Sequence, residues 1–350
     1  MAHDEKLHMS GNSVFRHHHS GVLGIAAIEA PTVITSDWID EQLAETYQRN
    51  GVRPGLLASV AGIEERRWWP EDVSFANAAA MAGRAAVERA GISVDDVGVL
   101  ISTSVCKDNL EPSVACSVHD QLGLPSSCLN FDIGNACLAF MNAMHIAATM
   151  IDAGQVEYAL IVDGEGSRYT QQRTLDRLRH PESSTADVFA EFASLTLGSG
   201  AAAMVLARTD RHPEAHRVVG GVARAATQHN RLCVGSLDRM TTDTAGLLTA
   251  GLDLAEAAWS ESIVDPYWAN GAADWYILHQ VSKVHTTMLC ARLGIDTAKV
   301  PLTYPHYGNI GPAAVPITLA SVQDRIQPGE RVFCMGIGSG LNTSLTEIIW

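Results

Sequence analysis

Apolar positions along the chain follow two rhythms. Short unbroken runs, Val97 to Ser102, Tyr158 to Val162 and Ala201 to Leu206, predict strands buried on both faces. Between them lie longer segments, Ala78 to Ala90, Val114 to Leu122 and Cys137 to Ala153, which predict helices, the last stopped by Gly154. Cys128 to Ile133 predicts a further strand. Ser167 to Ser194 is polar and charged and predicts a helical excursion over the surface. His17 to His19 run into Gly21-Val-Leu-Gly-Ile-Ala-Ala and are read as part of a first strand rather than as a metal site. Strands and helices therefore alternate, which predicts an α/β fold.

The order repeats. Leu122-Gly-Leu followed by Asn130-Phe-Asp-Ile-Gly-Asn-Ala-Cys137 has a counterpart in Leu293-Gly-Ile followed by Tyr304-Pro-His-Tyr-Gly-Asn-Ile-Gly311. A long apolar helix follows each, then a turn (Asp152-Ala-Gly-Gln, Gln327-Pro-Gly-Glu), then a strand. Val97 to Ser102 matches Asp274 to His279. The chain is read as two similar halves, 1–215 and 216–350, meeting at the polar stretch His212 to Arg217. Gly134-Asn135 and Gly308-Asn309 then occupy corresponding strand-to-helix turns. Cys137 and Asn309 would face one another near a pseudo-twofold axis, with His279 at a strand end close by.

Composition narrows the function. The 350 residues are 47% hydrophobic and only 18% charged, which implies a large core and some buried interface and excludes a disordered chain. The net charge of -15 argues against nucleic-acid binding. The seven cysteines form no C-x-x-C pair, so a zinc ribbon is not expected; most are read as small buried hydrophobes. The polar, acidic N-terminus is not a secretory signal. The apolar stretch Ala136 to Ile151, interrupted by Asn142, His145 and Thr149, is too short to cross a bilayer and reads as a buried helix of a cytoplasmic protein.

One cysteine is set apart. Cys137 opens the long helix, where the helix dipole and free N–H groups are expected to lower its pKa and sharpen it as a nucleophile. A histidine such as His279 can serve a cysteine nucleophile within hydrogen-bond reach. Asn309 reads either as a turn residue or as a site amide. Gly336-Ile-Gly-Ser-Gly-Leu lacks the helix that a dinucleotide loop needs, because Leu341 to Trp350 is strand-like. It is read as a tight turn whose N–H near Ser339 or Gly340 would serve an oxyanion.

Asn135-Ala-Cys137-Leu-Ala-Phe, Leu278-His279-Gln, Tyr307-Gly-Asn309-Ile-Gly-Pro and the terminal Gly-Ile-Gly-Ser-Gly resemble the thiolase superfamily, in its ketoacyl synthase III branch. Ala61-Gly-Ile-Glu-Glu-Arg-Arg-Trp-Trp, Asn109-Leu-Glu111-Pro-Ser, Asp238-Arg-Met-Thr-Thr-Asp-Thr and Gly308-Asn-Ile-Gly-Pro-Ala-Ala-Val-Pro are similar to the OleA-type enzymes within it. The resemblance implies a five-layer αβαβα thiolase fold with two pseudo-duplicated halves. It implies an acyltransferase that joins two fatty acyl-CoA molecules by a Claisen condensation without decarboxylation. The product would be a 2-alkyl-3-oxoacyl thioester and then a β-keto acid, the precursor of long-chain olefins or β-lactones. Acyl-CoA would be the substrate, with no further cofactor.

The resemblance also implies roles. Cys137 would carry the acyl group; His279 and Asn309 would hold thioester oxygens; the Cys137 N–H and one near Ser339 would form the oxyanion hole. Glu111 would take the α-proton, reaching into the site of a partner subunit, with a pKa raised by burial. Without loss of carbon dioxide such a base is needed. The branch usually continues His-Gln as Ala-Asn, where this chain has Val281-Ser282, and Glu64 stands where its first arginine would be. Arg66 and Arg67 remain as candidate CoA contacts, and Trp68 and Trp69 either stack on adenine or pack. The alternatives are a decarboxylating 3-oxoacyl carrier-protein synthase III and one subunit of a heterodimeric condensing enzyme.

Overall fold

The structure, a computed structural model, describes residues 13–262 and 273–350. The polar stretch at the N-terminus falls outside them. Ten strands form one hydrogen-bonded sheet. Its first half runs Leu129–Asp132, Val99–Ser102, Tyr158–Glu165, Gly200–Arg208 and Ser20–Glu29. The other half runs Trp275–Leu278, Arg331–Gly338, Asn342–Ile349 and His216–Ala225, with Ser13–Arg16 on the far edge of the last. The two meet where Gly21 and Val22 pair with Arg217 and His216. Strand directions correspond: Val99–Ser102 is parallel to Tyr158–Glu165, and Trp275–Leu278 is parallel to Arg331–Gly338. Each is then followed by two antiparallel neighbours.

Helices cover both faces. Phe75–Ala90 starts at a Ser74 cap and ends at the left-handed Gly91, and it packs on the first half-sheet beside Val114–Leu122. Thr244–Ser262 packs on the second half-sheet beside Lys283–Leu293. Ala139–Asp152 and Ala314–Val322 instead touch strands of both halves. They are apolar nearly all round, as helices walled on two sides must be. Phe140, Met141, Met144 and Ala148 are sealed from solvent, each large side chain contributing roughly 1.5–3 kcal/mol of burial. Among the described residues no helix is long and apolar enough to cross a membrane.

Three expectations need correction. The triple histidine is not strand: it breaks Ser13–Arg16 from Ser20–Glu29. There the Asp152 carboxylate accepts the His18 and His19 N–H groups, at 2.9 Å each. His17 turns inward, with Nε2 3.1 Å from Nδ1 of the buried His145, whose Nε2 lies 2.9 Å from Thr346 Oγ1. Second, the strand that the repeat predicts at Tyr304-Pro-His-Tyr307, opposite Asn130-Phe-Asp-Ile133, is instead a single helical turn, Tyr304–Tyr307. Third, the helix expected from Cys137 begins at Ala139 and is preceded by a tighter turn, Ala136–Leu138.

Candidate active site

The strand Leu129–Asp132 delivers the chain to Gly134-Asn135 and then to Ala136, whose φ of 45° is left-handed. That geometry is sterically costly for a residue with a Cβ, by roughly 1–2 kcal/mol. It is held by side chains: Asn135 Nδ2 donates to Asn142 Oδ1 at 2.7 Å, and Asn342 Nδ2 donates to Asn135 Oδ1 at 3.4 Å. Cys137 therefore sits on a 3-10 turn ahead of the helix. The pKa expectation is reversed. Burial, then the negative field of Glu165 and the neighbouring Cys233, push the Cys137 thiol up to about 12. A dipole at the end of a helix is too weak to offset desolvation of a buried thiolate. The resting group is a thiol, and its proton must leave as it attacks.

His279 follows the buried strand Trp275–Leu278, and its N–H donates to Met335 O at 2.7 Å. Gln280 fixes the next loop: its Oε1 accepts from Thr303 N and Tyr304 N, and its Nε2 donates to Pro301 O. Burial, then the field of His285, lower the His279 pKa to about 4. The imidazole is neutral at neutral pH, able to accept one proton and donate another. Asn309 lies in the second strand-to-helix turn. Its N–H donates to Thr196 O and its carbonyl accepts from Gly198 N, both at 2.9 Å. Its Oδ1 accepts from Gly311 N at 3.0 Å, which leaves the amide nitrogen to offer a substrate oxygen. This approach depends on glycine: a Cβ on Gly198 would lie 1.7 Å from Tyr307 O.

Ser339 lies at the tip of the hairpin between Arg331–Gly338 and Asn342–Ile349, with Gly340 (φ 82°) and Leu341 (φ 56°) both left-handed. A Cβ on Gly338 would lie 3.4 Å from Cys137 N, so the hairpin backbone abuts the nucleophile turn. The turns Ala136–Leu138 and Gly311–Ala313 also touch one another. Cys137, His279, Asn309 and Ser339 all line one cavity of about 670 Å³. Leu247, Leu248, Leu252 and Ala255 of the helix Thr244–Ser262 give the cavity an apolar lining, together with Val234, Leu237 and Met240.

The cavity also holds Glu165, which lies beyond the predicted strand Tyr158 to Val162 but within the observed one, Tyr158–Glu165. It is 5% exposed, and burial pushes its carboxyl up to about 7 against the N–H groups that hold it. Gly164 and Gly166 on either side leave no room for side chains against Phe75; this spacing was the available signal. Cys106 and Cys233 line the same cavity, and Cys116 is exposed, so the reading of the remaining cysteines as inert core does not hold for these three.

Other candidates lie elsewhere. Glu111 does not line its own chain's cavity; it is exposed on a projecting loop beside Leu110, which is 98% exposed. Arg66 is fully buried, with its guanidinium donating to Ile34 O and Ser36 Oγ. Arg67 is held between Glu29 and Glu65 at 2.8 Å each. Neither arginine reaches the cavity, so both assignments as CoA contacts are withdrawn; on this ribbon, alternate residues face inward. Trp68 and Trp69 pack: Trp68 Nε1 donates to Gln171 Oε1, and Trp69 Nε1 donates to Glu165 O at 2.9 Å.

Comparison with known proteins identifies the family. Residues 131–224 match the 3-oxoacyl-[acyl-carrier-protein] synthase III family, and residues 266–348 match its C-terminal family. The acyl-CoA:acyl-CoA alkyltransferase of Xanthomonas campestris is 45% identical over 331 residues, covering 94% of this chain and 98% of the relative. The alkyltransferase of Shewanella oneidensis is 33% identical, covering 92% and 96%. A crystal structure of Xanthomonas campestris OleA superposes with a TM-score of 0.94 at 44% identity, covering 96% of this chain and 99% of that one. Another structure of that protein holds lauric acid and lauroyl-CoA. The chain belongs to the ketoacyl-synthase-III-like branch of the thiolase superfamily, in the group of the OleA acyl-CoA:acyl-CoA alkyltransferases.

Proposed function

We propose that this chain condenses two fatty acyl-CoA molecules without decarboxylation. The observation that carries this is one cavity that brings a thiol, a neutral imidazole, a side-chain amide and a hairpin backbone against an apolar wall. Cys137 Sγ attacks the first thioester carbonyl, its proton passes by way of His279 to the sulfur of the departing CoA, and an acyl-enzyme remains. The oxyanion is met by the Cys137 N–H and an N–H at Ser339 or Gly340. A second acyl-CoA enters with its thioester oxygen against His279 and Asn309, and Glu111 of a second copy removes its α-proton. The carbanion attacks the acyl carbonyl, and the Cys137 thiolate leaves and regains a proton. The 2-alkyl-3-oxoacyl product is then hydrolysed to the β-keto acid. Three structures of Xanthomonas campestris OleA carry substitutions at a glutamate, a cysteine and a histidine. Along that chain they are spaced as Glu111, Cys137 and His279 are here.

The base is supplied from outside because its loop is built to project. The root is tied down: Lys107 Nζ meets Asp132 at 2.8 Å, and Asp108 accepts from Phe75 N and Ala76 N. The tip, Asn109 to Pro112, is exposed. The architecture is read as five layers from two pseudo-duplicated halves, 1–215 and 216–350, supported by the matched strand directions and the two helices that touch both half-sheets. For the CoA phosphates we assign Arg231, the one lysine or arginine lining the cavity among the described residues. Arg231→Ala is expected to raise KM for acyl-CoA about 3–10-fold while leaving an acyl-pantetheine thioester, which lacks those phosphates, unaffected.

Product analysis tests the reading. With acyl-CoA alone, mass spectrometry is expected to find CoA and a β-keto acid joining two chains. A requirement for a malonyl donor would overturn it in favour of a decarboxylating synthase. Absence of acyl label on Cys137 would favour a supporting subunit of a heterodimer.

A further inference from the structure

We infer that Glu165 is a positioning residue of the condensation: its carboxylate ties the root of the loop bearing Glu111 to the cavity beside Cys137. The inference rests on the reaction proposed above. Oε1 of Glu165 accepts from Val105 N at 2.5 Å and Oε2 from Cys106 N at 3.3 Å, so both oxygens grip the first residues of that loop. Cys106 Sγ is held in turn by Gly166 O at 3.3 Å. The backbone of Glu165 is clamped by the Trp69 indole, and the neighbouring Gly164 admits Phe75 O where a Cβ would stand, at 2.3 Å. The same carboxylate lies beside the other catalytic turn, with Cδ 3.8 Å from the place of a Cβ on Gly311.

A buried carboxylate is costly to keep, and a neutral side chain would fill the space without that cost. What an amide cannot do is accept from two N–H groups with two oxygens. The titratable groups facing Glu165 are Cys106 on the loop, Cys137 on the nucleophile turn and Asp163 on its own strand, itself held by Thr103 at 2.5 Å. Among the described residues, the groups that act on Glu165 are the Cys106 side chain and the Val105 and Cys106 N–H groups, and none is a cation. In the alkaline range where Cys137 titrates, its full charge acts on the thiol side of the cavity, while its two oxygens act on the loop. A loop displaced by about 1 Å at its root would misplace Glu111, an error that costs about 100-fold in rate.

The test compares Glu165→Gln, Glu165→Asp and Glu111→Gln with the unaltered enzyme, using lauroyl-CoA. Three readouts are taken: acylation of Cys137 in a single turnover, yield of condensed product, and the pH midpoint for alkylation of the Cys137 peptide by iodoacetamide. Glu165→Gln is expected to lower condensation about 10–100-fold, to lower acylation about 3-fold or less, and to move the alkylation midpoint to lower pH. Glu165→Asp keeps the charge but not the reach, so its midpoint stays while condensation remains low. Glu111→Gln is expected to lose condensation with an unmoved midpoint. Unimpaired condensation by both Glu165 variants, or an unmoved midpoint in Glu165→Gln, overturns the inference. If the unaltered enzyme acylates but yields no condensed product, the functional reading fails instead, and the midpoints still judge Glu165 on their own.

Discussion

The Cys137 thiol and the His279 imidazole of the cavity are held in their uncharged forms. Cys137 rests near 12 and His279 near 4, so a thiolate–imidazolium pair is not the resting state at neutral pH. Iodoacetamide labelling of Cys137 is expected to rise about tenfold per pH unit through the alkaline range. Exposed Cys116 serves as the internal reference; equal profiles by peptide mass spectrometry would contradict the assignment. These two residues were legible in the sequence by position, Cys137 after a Gly-Asn turn and His279 after an apolar strand. Their protonation was not. Desolvation depends on what the fold places around a group, and Glu165, Cys233 and His285 come from distant segments. Arg66 shows the same limit in the other direction, because a charged residue on a short ribbon gives no sign that its face is the buried one.

At the level of elements, local signals were the more reliable guide. Val114 to Leu122 is a helix over the residues predicted, capped by Ser113 and ended by Gly123. The 3-10 turn at Cys137 was not legible, since its apolar sequence suits either helix and the cause is a left-handed Ala136 held by Asn142 and Asn342 through Asn135. The contact between Leu197 and Asn309 is another tertiary outcome. Gly198→Ala would drive a methyl into Tyr307 O, and the expected result is a stability loss of about 2–4 kcal/mol by denaturant melt with Asn309-dependent turnover abolished. A buried histidine ties the first strand to the last. Burial lowers the His145 pKa to about 3, below the ordinary 6.5. A depressed histidine is stabilising above the unfolded value, and that contribution is lost as pH falls from 6.5 towards 3. His145→Gln is expected to flatten the acid limb of stability against pH by up to about 1.4 kcal/mol per pH unit. An unchanged slope would show that the site takes up no proton on unfolding.

For the whole molecule, the proposed repetition rests on the Gly-Asn turn and the helix after it in each half, and those two turns touch one another. The helical turn in place of a strand at Tyr304–Tyr307 was not readable, because the N–H groups of Thr303 and Tyr304 go to the Gln280 side chain instead of a neighbouring strand. The proposed exchange of Glu111 between copies can be tested by mixing. Chains with Cys137→Ala lack the nucleophile but keep the base; chains with Glu111→Gln are the reverse. Refolded together in equal amounts, they are expected to recover about a quarter of the condensation rate, since half of the dimers would be mixed and each would hold one intact site. No recovery would place the base within the chain. Strand pairing between the half-sheets rests on Gly21–Arg217 and Val22–His216, while Cys137 comes from one side of that seam and His279, Asn309 and Ser339 from the other. Loosening the seam would leave both halves largely folded yet scatter the reacting groups. Turnover should therefore act as a strain gauge for the joint, falling silent at denaturant concentrations where circular dichroism still reports an intact protein.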